Sequence, residues 1–183
     1  MSDEYPRHDE AESNGTRSID PDSLRERADV EFEETTTVHE DRDHFESHGH
    51  DVAVVGVTNG AGDVCLFVNE DAAFAGLPWA AVADGDWITG AHSSIEDWCT
   101  GEGVDIVVEE PILVRRVEHE VAGEDGVKAT THTILFRAAP VESDPDLSNV
   151  TGAEDWTAGW FDGVPNDADQ TPPDVAADVR RFV

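Results

Sequence analysis

The sequence predicts an α+β fold, a mixed β-sheet flanked by α-helices. Three observations carry this. Apolar runs of strand length lie at residues 51–58 and 63–68, bracketing Asn59-Gly60-Ala61-Gly62, and turn residues between such runs mark paired strands. Residues 87–99 place Trp87, Ile88, Ala91, Ile95, Trp98 and Cys99 at three- and four-residue steps, the helical period. Two further strand-like runs, 112–121 and 127–141, flank the turn 122–126.

Taken in order, residues 1–19 are acidic and nearly free of apolar side chains, so they are expected to be a disordered arm. Residues 20–50 form an extension. Asp20-Pro21 begins a short helix, as an N-cap followed by proline at the first helical position. Val30 and Phe32 then alternate with acids ahead of three threonines, which suits a strand with one wet face. A helical turn is expected at 42–48. His39, His44, His48 and His50 cluster here, with His44 and His48 four apart. No cysteine or third spaced ligand completes a metal site, so the segment reads as an exposed polar linker.

Residues 51–183 hold the main domain. The hairpin of 51–58 with 63–68 lacks polar alternation and is expected in the middle of the sheet. Residues 69–76 read as a loop and Asp84-Gly85 as a turn. Asp86 is a candidate N-cap for the helix that follows. If the 112–121 and 127–141 hairpin centres between Glu124 and Asp125, Arg115 and His119 share a face with His132; a shift of one residue inverts that. A strand at 156–161 and a helix opened by Pro172-Pro173, with Val175, Val179 and Phe182 on one face, complete the chain.

Charge excludes several functions. Asp and Glu number 42 against 11 Lys and Arg, a net charge of −31, and Lys128 is the only lysine. Such a spread of acids matches the solvated surface of a salt-adapted protein. It argues against nucleic acid or an anionic membrane as partner, since both need a basic footprint. Cys65 and Cys99 lack metal or redox spacing and read as buried thiols. With no apolar signal core and no run of transmembrane length, a cytoplasmic location is expected.

The stretch 77–106 resembles the Nudix box of the Nudix hydrolases. Leu77-Pro78 matches the motif's lead-in, Gly85-Asp86 its Gly-Glu turn and Gly103-Val104 its closing pair. Asp97 is in register with the first glutamate of the Arg-Glu unit and Trp98 with its apolar position. The remaining glutamate positions hold Thr100 and Gly101, the arginine position holds Glu96, and the segment between Asp86 and Glu96 is longer by two residues. The resemblance implies a Nudix-type sheet over 51–183 and hydrolysis of nucleoside diphosphate derivatives with Mg2+ or Mn2+. Glu96, Asp97 and Glu102 would be the metal ligands and Asp97 and Glu102 the catalytic pair, because a hard dication takes oxygen ligands and neutralises phosphoryl charge. Trp79 would stack on the base, with Arg115, His119 and His132 as further substrate contacts. The altered box also admits a different class of function, a Nudix-fold nucleotide-binding or scaffold module without catalysis. Structural roles stand beside these: surface acids, ion-paired arginines and tryptophans packed in the core.

Overall fold

The computed structural model describes residues 19–96, 104–148, 150 and 155–183. The α+β class holds: a five-stranded mixed sheet and a three-stranded antiparallel sheet carry a few short helices. A 3-10 helix at Pro21–Glu26 is capped by Asp20, whose side chain accepts from the Asp22 amide. Strand β1 (Glu31–His39) and helix α1 (Arg42–His48) follow, then β2 (Val52–Val57), β3 (Val64–Asn69), β4 (Phe74–Gly76) and β5 (Trp79–Ala81). Helix α2 (Trp87–Glu96), the long hairpin of β6 (Ile106–Val121) with β7 (Ala129–Pro140), β8 (Trp156–Phe161) and helix α3 (Pro173–Val179) complete the order.

The large sheet runs β1-β6-β7-β2-β5 and the small one β4-β3-β8. This corrects the expected hairpin. β2 and β3 belong to different sheets, and the reversal between them carries an isolated bridge from Thr58 to Val64 and a bond from the Asn59 amide to the Asp63 carbonyl. The Asn59 side chain accepts from the amides of Ala61 and Asp63, an Asx-type turn that opens the loop beyond a two-residue reversal. The chain then leaves the plane of β2. Residues 69–76, expected as a loop, instead turn back to form β4 on β3.

α2 forms over Trp87–Glu96 as its period predicts; the expected continuation through Trp98 and Cys99, and all but the last residue of the expected arm, lie outside the described residues. The Asp86 carboxylate caps it, accepting from the Thr89 amide at 3.2 Å and its hydroxyl at 2.8 Å. Asp84 and Gly85 both take positive φ, 53° and 71°, so the preceding turn uses the conformation glycine tolerates best. Trp87, Ala91 and Ile95 are buried with Ala53, Val55, Ile134 and Phe136. A second cluster sets Val179 and Phe182 against Leu66, Leu113 and Leu135. Gly56 is needed there, because a Cβ at that position would lie 2.2 Å from the Phe182 ring. No helix among the described residues is long and apolar enough to cross a membrane.

The β6–β7 register sets the faces. Arg115 lies opposite Thr133, Val117 opposite Thr131 and His119 opposite Ala129. The hairpin is therefore centred on Glu124, one residue from the expected centre, and every β7 side chain lies on the face opposite to that expected. On β1, Glu33, Thr35 and Thr37 lie beside Arg115, Val117 and His119. On the other side of β7, Val52 and Val54 lie beside Thr133 and Leu135, and Trp79 is opposite Val54.

Candidate functional site

The face carrying Arg115 holds two adjoining cavities. The first, of about 360 Å³, is walled by Val54, Phe67, Phe74, Leu77, Trp79 and Trp156, from both sheets. The second, of about 460 Å³, opens toward β1 and is polar, with Glu33, Thr35, Thr37 and Arg181 on its walls. Both are lined by Arg115, Thr133, Asp174 and Asp178, so the arginine stands where the apolar chamber meets the polar groove.

The apolar wall follows from strand alternation. Side chains of β2 and β5 point to this face at every second residue, and β3, β4 and β8 present theirs from the small sheet. Phe74 meets Trp156 edge-on at 5.8 Å between centroids, a favoured aromatic geometry. Trp79 is 51 % exposed and forms a lip of the chamber.

The Arg115 guanidinium is held by two acids. Its Nε donates to Glu33 at 3.0 Å, and Nη1 and Nη2 donate to the two Asp178 oxygens at 3.2 and 3.1 Å. Arg181 donates to Glu31 and Glu33 and lies 3.6 Å from Asp178. Burial alone would favour a neutral Arg115, but Asp178 and Glu33 outweigh it and raise its pKa. Charge at this end is therefore arranged with acids in slight excess: Glu33, Asp174 and Asp178 against Arg115 and Arg181. It can accept hydrogen bonds from a ligand, and it can meet an anion only by exchanging a carboxylate partner or through an added cation.

A third cavity, also about 360 Å³, lies at the start of α2. It is lined by Asp84, Asp86, Thr89 and Ser93 with Ala81, Ala83 and Gly90. Its carboxylates and hydroxyls are oxygen donors of the kind a hard dication takes, though Asp86 is already engaged by Thr89. Glu96 is exposed near the end of the helix, where its carboxylate lies 3.7 Å from His92. Asp97 and Glu102 lie outside the described residues. Among the described residues, no group of three or more His, Cys, Asp or Glu side chains converges to hold a metal ion.

Of the expected substrate contacts, Trp79 and Arg115 meet at the apolar chamber. His119 shares their face, but lies further along β6, buried against His39 and Thr131. His132 lies on the opposite face, where its Nε2 is 3.3 Å from Asp22. The placement of His132 with Arg115 is therefore corrected by the one-residue register difference. The histidines of the 20–50 segment are also corrected: His39 is 1 % exposed rather than part of an exposed linker. Asp178 escaped notice in the sequence, yet it sits on the same helical stripe as Val175 and Phe182. An acid on an apolar stripe signals a buried cation nearby.

The fold and these cavities define an α+β protein with an apolar chamber opening into a charged groove. Compared with models of known protein families and with curated protein sequences, the chain matches none.

Proposed function

We propose that the protein is a Nudix-type module that binds a nucleotide-type small molecule, with the flat base in the apolar chamber. The observation that carries this is the chamber itself: aromatic walls, an exposed tryptophan at the lip, and Arg115, Asp178 and Thr133 at one end. Apolar clefts with a few convergent polar groups are the usual form of small-ligand sites. A planar ring would gain stacking on Trp79, and its exocyclic amino groups would donate to the carboxylates. The lead-in Leu77-Pro78, the turn at Asp84-Gly85 and helix α2 follow one another in the order of the resembled box, which supports the Nudix-type reading.

A second reading, metal-dependent hydrolysis of a nucleoside diphosphate derivative, is favoured by the cavity at Asp84, Asp86, Thr89 and Ser93. In it, these groups with Glu96, Asp97 and Glu102 would hold Mg2+ or Mn2+, which would neutralise charge on the phosphoryl oxygens. The altered box offers few carboxylates for that task, so turnover is expected to be slow. Calorimetry on nucleosides and nucleoside diphosphate derivatives, with and without Mn2+, combined with a phosphate-release assay, tests both. Binding without turnover selects the module. Turnover abolished by Asp97→Ala selects the hydrolase. Neither binding nor turnover across the panel refutes both.

A further inference from the structure

The chain has eight histidines, and four of them form one hydrogen-bonded row. His48 Nδ1 contacts the His44 carbonyl at 2.9 Å, and the two rings stack at 4.2 Å. His44 Nδ1 meets His39 Nδ1 at 2.8 Å, His39 Nε2 meets His119 Nδ1 at 2.8 Å, and His119 Nε2 meets the Thr131 hydroxyl at 2.7 Å. His39 and His119 are 1 % and 4 % exposed. Phe45 covers His39 edge-on at 5.6 Å between centroids.

Each ring contact needs one nitrogen bearing a proton and one bearing a lone pair. Three neutral imidazoles, each with a single N–H, satisfy the whole row from His44 to Thr131 in either direction. An extra proton on His39 gives it two N–H groups and obliges a neighbouring imidazole to take the tautomer that accepts at Nδ1. It also places a cation in a buried site among other imidazoles. The row is thus complete when neutral, and what opposes a proton on it is the desolvation of a buried cation. Its ends are on different elements: His39, His44 and His48 lie on β1 and α1, whereas His119 and Thr131 lie on β6 and β7.

We propose that this row is a pH-operated latch that holds the β1–α1 segment against the edge of the large sheet, closed when neutral and released in acid. Of the acids beside the row, Asp41 caps α1 by accepting from the His44 amide. α1 presents His44, His48 and Phe45; His50 adds a further basic group; β1 and β7 present Thr37 and Thr131. At the hairpin end, Glu124 is paired with Arg42, and Lys128 donates its side chain to the Asp125 carbonyl. Among the described residues, no carboxylate hydrogen bonds to either buried ring. Burial, then His44 and His48, pulls His39 below the ordinary histidine range; burial, then His39 and His50, does the same to His119.

The sign follows. Folded-state depression means the stabilisation is present above the unfolded histidine pKa, near 6.5, and is lost as pH falls through that value toward the lower folded one. Release has a consequence for the ligand groove, because β1 carries Glu33, Thr35 and Thr37 along its wall. Lifting β1 would remove Glu33 from Arg115 and widen the polar end. A metal-bound cluster is the competing explanation of four close histidines, but His39 spends its two nitrogens on different partners, so the ring nitrogens form a row and not a common centre.

Hydrogen exchange on the full chain in molar KCl, corrected for intrinsic rates, tests the latch. Between about pH 7.5 and about pH 5, protection of the β1 and α1 amides should fall about tenfold or more, while β2 and β7 stay protected. In His39→Gln with His119→Gln, the fall should vanish. If that variant does not fold, His44→Gln replaces it: removing one like charge should move the wild-type transition to higher pH. Imidazole NMR should show His39 and His119 protonating below the ordinary histidine range. Equal protection at both pH values, an equal fall in the double variant, an unshifted transition in His44→Gln, or abolition of the wild-type transition by EDTA would each overturn the latch.

Discussion

Arg115→Met removes the charge at the junction of the two cavities and retains most of the stem. The guanidinium bonds Asp178 through both oxygens and Glu33 through one. The Arg115 and Asp178 side chains are 18 % and 11 % exposed, so little water is at hand to replace the lost pairing. Breaking a buried pair at one partner costs about 3–5 kcal/mol. Glu33 is the more exposed partner and regains solvent, which reduces the total. We expect a loss of about 2–4 kcal/mol, read by urea unfolding in molar salt, and a Tm lower by about 5–10 °C for a chain of this size. Asp178→Asn alone should cost less, since Arg115 keeps Glu33. The double variant should show a coupling of about 1.5–3 kcal/mol. Salt discriminates the mechanism further. The Arg115–Asp178 coupling should survive molar salt, whereas that of the half-exposed Arg25–Glu34 pair should disappear. A coupling below about 0.5 kcal/mol would refute the view that this pair pins α3 to the sheet.

Three other outcomes are expected. Gly56→Ala should cost about 1–3 kcal/mol, because the new methyl displaces the Phe182 ring that lies over it; chemical denaturation measures this, and an unchanged midpoint would contradict that packing. Trp79→Ala should abolish nucleoside-induced quenching of tryptophan fluorescence while altering stability by less than about 1 kcal/mol, as the ring is half exposed; retained affinity would move the ligand elsewhere. With a net charge of −31, the melting temperature should rise steeply from dilute to molar salt as self-repulsion is screened, and calorimetry showing a flat profile would refute the salt-adapted reading.

Local periodicity made most elements legible. The run at Trp87, Ala91 and Ile95 gives α2, acid–apolar alternation gives β1, and paired prolines open α3. What the sequence leaves open is pairing between elements. Asn59-Gly60 announces a reversal but not the sheet that the next strand joins; the Asn59 side chain decides that by bonding two amides of its own loop. The loop from Ala122 to Lys128 admits two centres one residue apart, and that single residue moves His132 across the sheet. Arg115 and Trp79 are legible as candidates from residue type, yet their meeting depends on β2 and β7 intervening between them. His39 falls on the alternate positions of β1 that carry Glu33, Thr35 and Thr37, so its own strand predicts exposure. α1 folding back over it reverses that, a tertiary effect with no local signature.

The ion pairs bear directly on what the site can bind. Arg25, Arg27, Arg42, Arg115, Arg116, Arg137 and Arg181 each face a carboxylate, and Arg180 donates to the Ala176 carbonyl. In so acidic a chain, each such pair removes a local repulsion as well as adding an attraction, so its loss to a ligand costs twice. A phosphate seeking Arg115 must compete with Asp178, a bidentate partner already fixed on the sheet by α3 and free of any entropic cost of association. The aromatic chamber carries no such competition. Affinity in this architecture is therefore expected to come from the ring and its hydrogen-bond donors, and a diphosphate to be tolerated only in the company of its own divalent cation.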